Sequence, residues 1–243
     1  MATACGSAVV KFGGSAITVK SEPLTVNWEA LESLSEQAAR YVASGGRLVV
    51  VHGGGSFGHY MVEKLTAERG RLGPLEVSEI QRSMMTLSLA VISSLVSKGV
   101  PAVVHPPHTF CAGEACDYSP IKRDLEAGLV PVTYGDGVLA GGRTIIISGD
   151  RLAAQVASFV RADCLVYASD VPGVLGPDGR PLRLVRPEDP IAELGVRGSD
   201  VTGGMRYKLR EAASSTSRLV RIVHWRDVLR ALQGEEVGTR VLP

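Results

Sequence analysis

The sequence is short of several things, and each shortage excludes something. Aromatic residues make up only 5% of the 243 positions, and the 26 basic side chains are nearly matched by 25 acidic ones, leaving a formal net charge of +1. A protein that grips DNA or RNA without regard to sequence needs a Lys/Arg excess or stripe, so a nucleic-acid partner is not expected. No continuous apolar run reaches the roughly 18 residues of a membrane-spanning helix, so no membrane partner is expected either. The four cysteines (Cys5, Cys111, Cys116 and Cys164) include no CxxC pair. The first residues contain no basic patch followed by an apolar segment, which together reads as a cytoplasmic protein. His105, His108, Cys111 and Cys116 lie close in sequence, but their spacing suits no common zinc site, and no metal site is assigned.

What is present is a 45% hydrophobic chain long enough to bury a full core. Short β-branched runs end in glycine or a polar cluster, and each is followed by a longer amphipathic stretch. Ala8 to Phe12 reads as a strand ending at Gly13-Gly14-Ser15, Trp28 to Ser44 as a helix, and Arg47 to Val51 as a strand running into His52-Gly53-Gly54-Gly55. Val77 to Lys98 reads as a long helix, Val100 to Val104 as a strand, Ile121 to Ala127 as a helix and Val130 to Tyr134 as a strand. Thr144 to Ile147 reads as a buried strand before the helix Arg151 to Arg161, and Leu165 to Ala168 as a short strand. Gly176 to Gly198 reads as hairpin and loop with a short helix near Ile191 to Leu194. Asp200 to Met205 reads as a turn before the helix Arg206 to Ser215, and Leu219 to His224 as the last core strand.

This strand-then-helix order implies an α/β fold, a central, mostly parallel sheet covered by helices on both faces, with ligands at the carboxyl ends of the strands. A loose division near Asp150 gives an amino-terminal lobe, 1–150, and a carboxy-terminal lobe, 151–243.

Glycine-rich joints between strand and helix are natural phosphate cradles, because bare backbone lets N–H groups approach an anion and the helix amino terminus adds partial positive charge. Lys11 stands beside Gly13-Gly14-Ser15, with Lys20 on the same loop, although Gly-Gly is also an ordinary chain reversal. Three glycines in a row in HGGGSFGH (52–59) are costly unless the backbone must face a ligand, and His59 stands where it could donate to an oxyanion; a capping histidine is the plainer alternative. His52 reads as structural. In DVTGGMRYK (200–208), Lys208 can lean back toward its glycine joint or simply be solvated. There is no GxxxxGK[ST] loop.

Taken in order, KFGGSAITVK (11–20), HGGGSFGH (52–59), EIQRSM (79–84), PAVV (101–104), ISGD (147–150), SDVPGV (169–174) and DVTGGMRYK (200–208) resemble the amino acid kinase superfamily, and within it the isopentenyl phosphate kinases. The resemblance implies a three-layer α/β/α sandwich and transfer of the γ-phosphoryl group of ATP to isopentenyl phosphate, with Mg²⁺ bridging ATP oxygens, in a homodimer. It implies that Lys11, Lys20 and Lys208, with Gly13, Gly14, Ser15 and Gly204, hold the ATP phosphates, and that Gly54, Gly55, Gly149 and His59 hold the acceptor phosphate. Asp150 would keep the lysines in position, and Asp170, Gly173 and Val174 would line the adenine and ribose loop. Val77, Ile80, Met84 and Ile146 would face the five-carbon tail, although a stripe at helical spacing is as readily core. Two departures stand out: the family's SGDD is Ser148-Gly149-Asp150-Arg151 here, and DVDGV is Asp170-Val171-Pro172-Gly173-Val174. A kinase of another small phosphate or phosphonate, such as fosfomycin, and a non-catalytic nucleotide-binding protein are the competing readings.

Overall fold

The computed structural model describes residues 4–70, 72–192 and 204–243. The elements run in chain order as β1 (Ser7–Phe12), α1 (Gly14–Ile17), α2 (Trp28–Ala43), β2 (Arg47–His52), α3 (Gly55–Arg69) and α4 (Pro74–Ser97). There follow β3 (Ala102–Val104), β4 (Cys111–Ala112), β5 (Ala115–Cys116), α5 (Ser119–Glu126), β6 (Val130–Tyr134), β7 (Asp136–Ala140) and β8 (Arg143–Ile147). The chain ends with α6 (Gly149–Phe159), β9 (Cys164–Ser169), β10 (Leu184–Val185), α7 (Gly204–Ala213), β11 (Leu219–His224), α8 (Val228–Leu232) and β12 (Thr239–Val241).

Eight strands form one sheet in the order β10-β12-β11-β9-β1-β2-β6-β3, parallel throughout except where β12 runs against β11 and β10 follows β12. Side chains alternate between the faces of a strand, so β1 sends Ala8, Val10 and Phe12 into one core with α2, α3, α4 and α8, and Val9 into the other with α5, α6 and α7. Helices cover both faces, and the expected α/β/α sandwich is the fold observed. The same alternation decides where the chemistry sits: Lys11 shares the α6/α7 face with Val9, and Tyr167, its register partner on β9, points the same way.

The sequence reading needs correction in places. Thr144 to Ile147 is not a strand of the main sheet. Residues 143–147 pair with β7 in a separate two-stranded ribbon, and most of it is only half-buried. The turn explains it: Ala140 faces Arg143, and Gly141 and Gly142 take φ of 57° and 77°, the left-handed pair that a tight two-residue hairpin demands. The long helix starts at Pro74, not Val77, because proline suits the first helical turn and the Glu76 carboxylate accepts from the Gly73 N–H at 2.8 Å. Helix α7 starts at Gly204 instead of Arg206. Of the short helix expected near Ile191 to Leu194, Ile191 and Ala192 are not helical, and the rest lies outside the described residues, as do Asp200 to Gly203.

Helix α4 also qualifies the reading of apolar runs. It has the length of a membrane-crossing helix and, over an 18-residue window, a mean hydropathy of 1.2, because serines and threonine break its continuity without lowering the average much. Its inner face, Ile80, Met84, Leu87, Val91 and Leu95, is instead spent on the sheet, every one of these side chains being buried.

All four cysteines are paired, which their spacing alone did not suggest. Cys5 joins Cys164 across 159 residues, and Cys111 joins Cys116 directly opposite it in the β4–β5 hairpin. The nearby histidines are also engaged: His105 Nε2 lies 3.1 Å from Asp124 and His108 Nδ1 2.7 Å from Asp136. Among the described residues no group of three His, Cys, Asp or Glu side chains could hold a metal ion.

Candidate active site

Three charges from three distant parts of the chain meet at the carboxyl end of β1. Lys11 comes from β1, Asp150 from the first turn of α6 and Lys208 from the second turn of α7. The Asp150 carboxylate accepts from the Lys11 ammonium at 2.8 Å and from the Lys208 ammonium at 2.8 and 2.9 Å. All three side chains are largely buried, at 7%, 10% and 15% exposure for Lys11, Asp150 and Lys208. Burial alone would raise the Asp150 pKa, but the two ammonium groups outweigh it and hold the carboxyl well below its usual range. The cluster therefore carries one positive charge in excess, in a setting of low dielectric where that charge acts strongly on an anion. Burial pushes the Lys11 ammonium down to about 8, with Asp150 pulling it up and Lys208 driving it further down.

The glycine joints close around this cluster. The loops after β1 and β2 interlock so tightly that a Cβ on Gly14 would sit 2.3 Å from the Gly55 backbone nitrogen, and one on Gly53 would come within 3.2 Å of the Lys11 ammonium. Gly55 has φ of 47°, and a Cβ there would collide with the Thr18 hydroxyl. Gly149, at the start of α6, packs against the His52 carbonyl, and a side chain would meet that oxygen at 2.9 Å. Ser148 caps α6, accepting from the Asp150 N–H at 3.1 Å, which holds the first turn bearing Asp150.

Gly54 caps the start of α3 and Gly55 opens it, both half-exposed; His59 follows one turn into that helix and is half-buried. A helix amino terminus with bare glycine backbone beside a buried ammonium suits a phosphate. Met84 supports the loop from below: a Cβ on Gly58 would lie 3.0 Å from its sulfur, and one on Gly54 3.3 Å. Ile80 and Ile146 come together across Gly137, at 3.4 and 3.6 Å from where its Cβ would be. Val77, Ile80 and Met84 are buried core residues, whereas Ile146 is half-buried.

Lys20 and Asp170 form a second cluster, not joined to the first. The Lys20 ammonium and the Ser15 hydroxyl each donate to the Asp170 carboxylate at 2.8 Å, with the Lys20 side chain 67% exposed. Gly13 packs on the Ala168 carbonyl, so this cluster sits at the carboxyl ends of β1 and β9. Gly173 lies against Thr239, whose hydroxyl accepts from the Val174 N–H at 2.9 Å, and the Val174 side chain is fully buried in the core. Gly204 opens α7 with φ of 68°.

Sequence reasoning missed two contributors. Tyr167 donates its hydroxyl to the Asp150 carbonyl at 3.1 Å and lays its ring 5.5 Å from the Lys208 ammonium. A lone aromatic in an otherwise small and aliphatic strand was the available signal. Thr18 accepts from the Ser56 N–H at 2.9 Å and donates to the Gly14 carbonyl at 2.7 Å, tying the two glycine loops together; nothing in its sequence setting marks it. Arg151, where the family pattern has a carboxylate, pairs with Glu114 at 2.9 Å and so fastens the β4–β5 hairpin to the start of α6.

Comparison with known proteins agrees with this geometry. The model of the amino acid kinase family matches residues 7–223. The isopentenyl phosphate kinase of Methanocaldococcus jannaschii is 33% identical over 96% of this chain and 97% of its own length. An acetylglutamate kinase of Vibrio vulnificus is 28% identical over 97% of this chain and 96% of its own. The crystal structure of the T. acidophilum isopentenyl phosphate kinase product complex superposes with a TM-score of 0.77 at 27% identity, covering 96% of this chain and 98% of that one. With its sheet order, its glycine joints and its buried Lys-Asp-Lys cluster, the chain belongs to the amino acid kinase family, in the branch of the isopentenyl phosphate kinases.

Proposed function

We propose that the protein transfers the γ-phosphoryl group of ATP to the phosphate of isopentenyl phosphate, giving isopentenyl diphosphate and ADP. The observation that carries the reading is the Lys11–Asp150–Lys208 cluster, buried against interlocked glycine loops. Phosphoryl transfer asks for alignment and charge neutralisation, with little covalent work for the protein. Here the ammonium groups of Lys11 and Lys208 meet the β- and γ-phosphates together with the backbone of Gly13, Gly14, Ser15 and Gly204. Lys20 leaves Asp170 to reach the transferring group. Gly54, Gly55, Gly149 and His59 hold the acceptor phosphate in line.

An acceptor oxygen attacks the γ-phosphorus as the bond to the β,γ-bridging oxygen breaks, and ADP departs. The attacking oxygen is already anionic, so no general base is needed. The single carboxylate in the cluster is committed to two lysines, so the chain offers no built cage for Mg²⁺ among its described residues; the ion would ride on ATP oxygens and neutralise their charge.

The apolar character of Met84, against Gly54 and Gly58, and of Ile80 and Ile146, against Gly137, supports an alkyl acceptor over a polar phosphonate such as fosfomycin. A non-catalytic nucleotide-binding role would not call for two buried lysines. We assign acceptor binding to the lobe 1–150, which also supplies Lys11, Lys20 and the first glycine loop to the ATP phosphates, and nucleotide binding to 151–243, with Asp170 and Gly173 facing adenine and ribose.

We also propose a homodimer formed through α4. Met85, Leu89, Ile92 and Val96 follow four-three-four spacing on its outward side, with Met85, Leu89 and Val96 exposed at 49%, 66% and 52%, the pattern of a helix that packs on another helix. The cytoplasm, where ATP is available, is the proposed compartment. The decisive experiment is ADP release from Mg-ATP with isopentenyl phosphate, dimethylallyl phosphate, fosfomycin, acetylglutamate and UMP offered separately. Selective turnover of the two isoprenoid phosphates is expected. Turnover only with another acceptor would replace the substrate, and none with any would leave the non-catalytic reading.

A further inference from the structure

We propose that His52 is a positioning residue for the acceptor loop: its ring holds the Gly53 carbonyl inward and so turns the Gly54 N–H outward, toward the acceptor phosphate. The inference rests on the reading of that loop as the acceptor site.

His52 is the last residue of β2 and is fully buried. Its ring stacks on that of Tyr134, its register partner on β6, with centroids 5.0 Å apart and planes 28° from parallel. Nδ1 lies 3.2 Å from the Gly53 carbonyl oxygen, while Nε2 is buried with no partner among the described residues. A carbonyl can only accept, so Nδ1 carries the proton and donates. Burial pushes the His52 pKa down to about 4, so the neutral Nδ1–H form persists through the working pH range.

This bond completes the tethering of Gly53. Its N–H donates to the Phe12 carbonyl at 2.9 Å, and its carbonyl is held by the His52 ring. The His52 carbonyl in turn accepts from the Gly135 N–H at 3.2 Å, so the strand end itself is fixed. No described peptide bond is cis. In a planar trans peptide the C=O and the following N–H point in opposite directions, so a Gly53 carbonyl drawn toward the buried ring sends the Gly54 N–H to the other side. Gly54 itself is half-exposed and caps α3 with φ of −78° and ψ of −34°. A Cβ on Gly53 would meet Gly14 and the Lys11 ammonium, so the position admits only glycine. A loop of three glycines would otherwise sample many peptide orientations.

The test uses the full chain, Mg-ATP and isopentenyl phosphate, with KM for each substrate and kcat measured in turn. The amide of asparagine can take the place of Nδ1, whereas that of glutamine reaches only the place of Nε2. His52→Asn is expected to keep the KM for isopentenyl phosphate within a few-fold of the parent. His52→Gln and His52→Phe are expected to raise it roughly tenfold or more, the scale of one lost hydrogen bond to a phosphate, with the KM for ATP changed less than about twofold.

Equal losses in the Asn and Gln variants, or a parallel rise in both KM values, would overturn the inference. Tyr134→Leu removes the stacked ring but leaves the His52 hydrogen bond, and is expected to leave the acceptor KM unchanged; a rise matching that of His52→Phe would show that ring packing, and not the hydrogen bond, sets the loop. His59→Ala separates the two levels of the argument. If it raises the acceptor KM and His52→Gln does not, the positioning role fails alone. If neither does, the reading of the loop as acceptor site fails.

Discussion

Lys11 is a cation kept close to losing its charge. Its pKa is about 8 where an ordinary lysine has 10.5, first because it is buried, then because Lys208 repels it, with Asp150 holding it up against both. As pH rises through about 8 the ATP-free enzyme loses a positive charge from the phosphate cradle. The kcat/KM for ATP should therefore fall with a midpoint near there, and Lys11→Arg, which stays charged, should move that limb to higher pH. A pH profile that stays flat across that range in the parent protein would contradict the assignment.

Lys208→Ala removes one of the two ammonium groups and should lower turnover by about 10²- to 10³-fold, measured as ADP release. His52 makes a prediction about stability. The unfolded chain takes up a proton at His52 near pH 6.5, the native fold only near pH 4. Native stability should accordingly fall as pH drops through that window, by up to about 3 kcal/mol if burial holds throughout, and urea unfolding of the parent against His52→Asn measures it. At this scale the sequence was informative about the residues of chemistry, because Lys11, Asp150 and Lys208 each stand beside glycine in a strand-to-helix joint. It said nothing of Thr18, whose role exists only because two loops 38 residues apart interlock.

Helix α4 shows what periodicity can carry and where it stops. Ile80, Met84, Leu87, Val91 and Leu95 recur at helical spacing, and they form the inner face that packs on the sheet. Ile80→Ala should cost about 2–5 kcal/mol and lower Tm, because a fully buried side chain leaves a cavity. The same substitution should widen the acceptor range toward longer alkyl chains, read as the ratio of kcat/KM values; an unchanged ratio would make Ile80 core alone. The β7–β8 ribbon was the element least legible. A short run such as Thr144 to Ile147 has the same composition whether it joins the main sheet or a hairpin, and the left-handed pair Gly141-Gly142 tips it to the hairpin. The boundaries of α4, α6 and α7 shifted toward the amino terminus because glycine, proline and a capping serine tolerate the first turn without adding to an apolar pattern.

At the scale of the whole molecule, the sheet is held both by strand pairing and by a covalent link. Cys5, just ahead of β1, is bonded to Cys164 at the start of β9, its neighbour in the sheet. Closing a loop of 159 residues restricts the unfolded chain, so Cys5→Ala should lower stability by about 2–5 kcal/mol in heat denaturation without reductant, and added reductant should bring the parent down to the variant. The exposed side of α4 makes a prediction of assembly: Leu89→Glu places a charge in the centre of the apolar stripe and should convert the proposed dimer to a monomer by light scattering. A monomeric parent protein would remove the dimer from the account.

The sequence by itself determined the α/β class, the order of its main elements and the set of glycine joints and lysines, because strand length, helical period and backbone-permissive turns are local properties. Tertiary structure alone decided which of those residues meet. Lys11 and Lys208 share Asp150 because β1 lies beside β9 and their register turns Lys11 toward α6 and α7; Lys20 is drawn off to Asp170. Strand order, cysteine pairing and the interlocking of the two glycine loops all join positions far apart in the chain. They follow from which faces can be buried together, a condition that no local stretch of sequence contains.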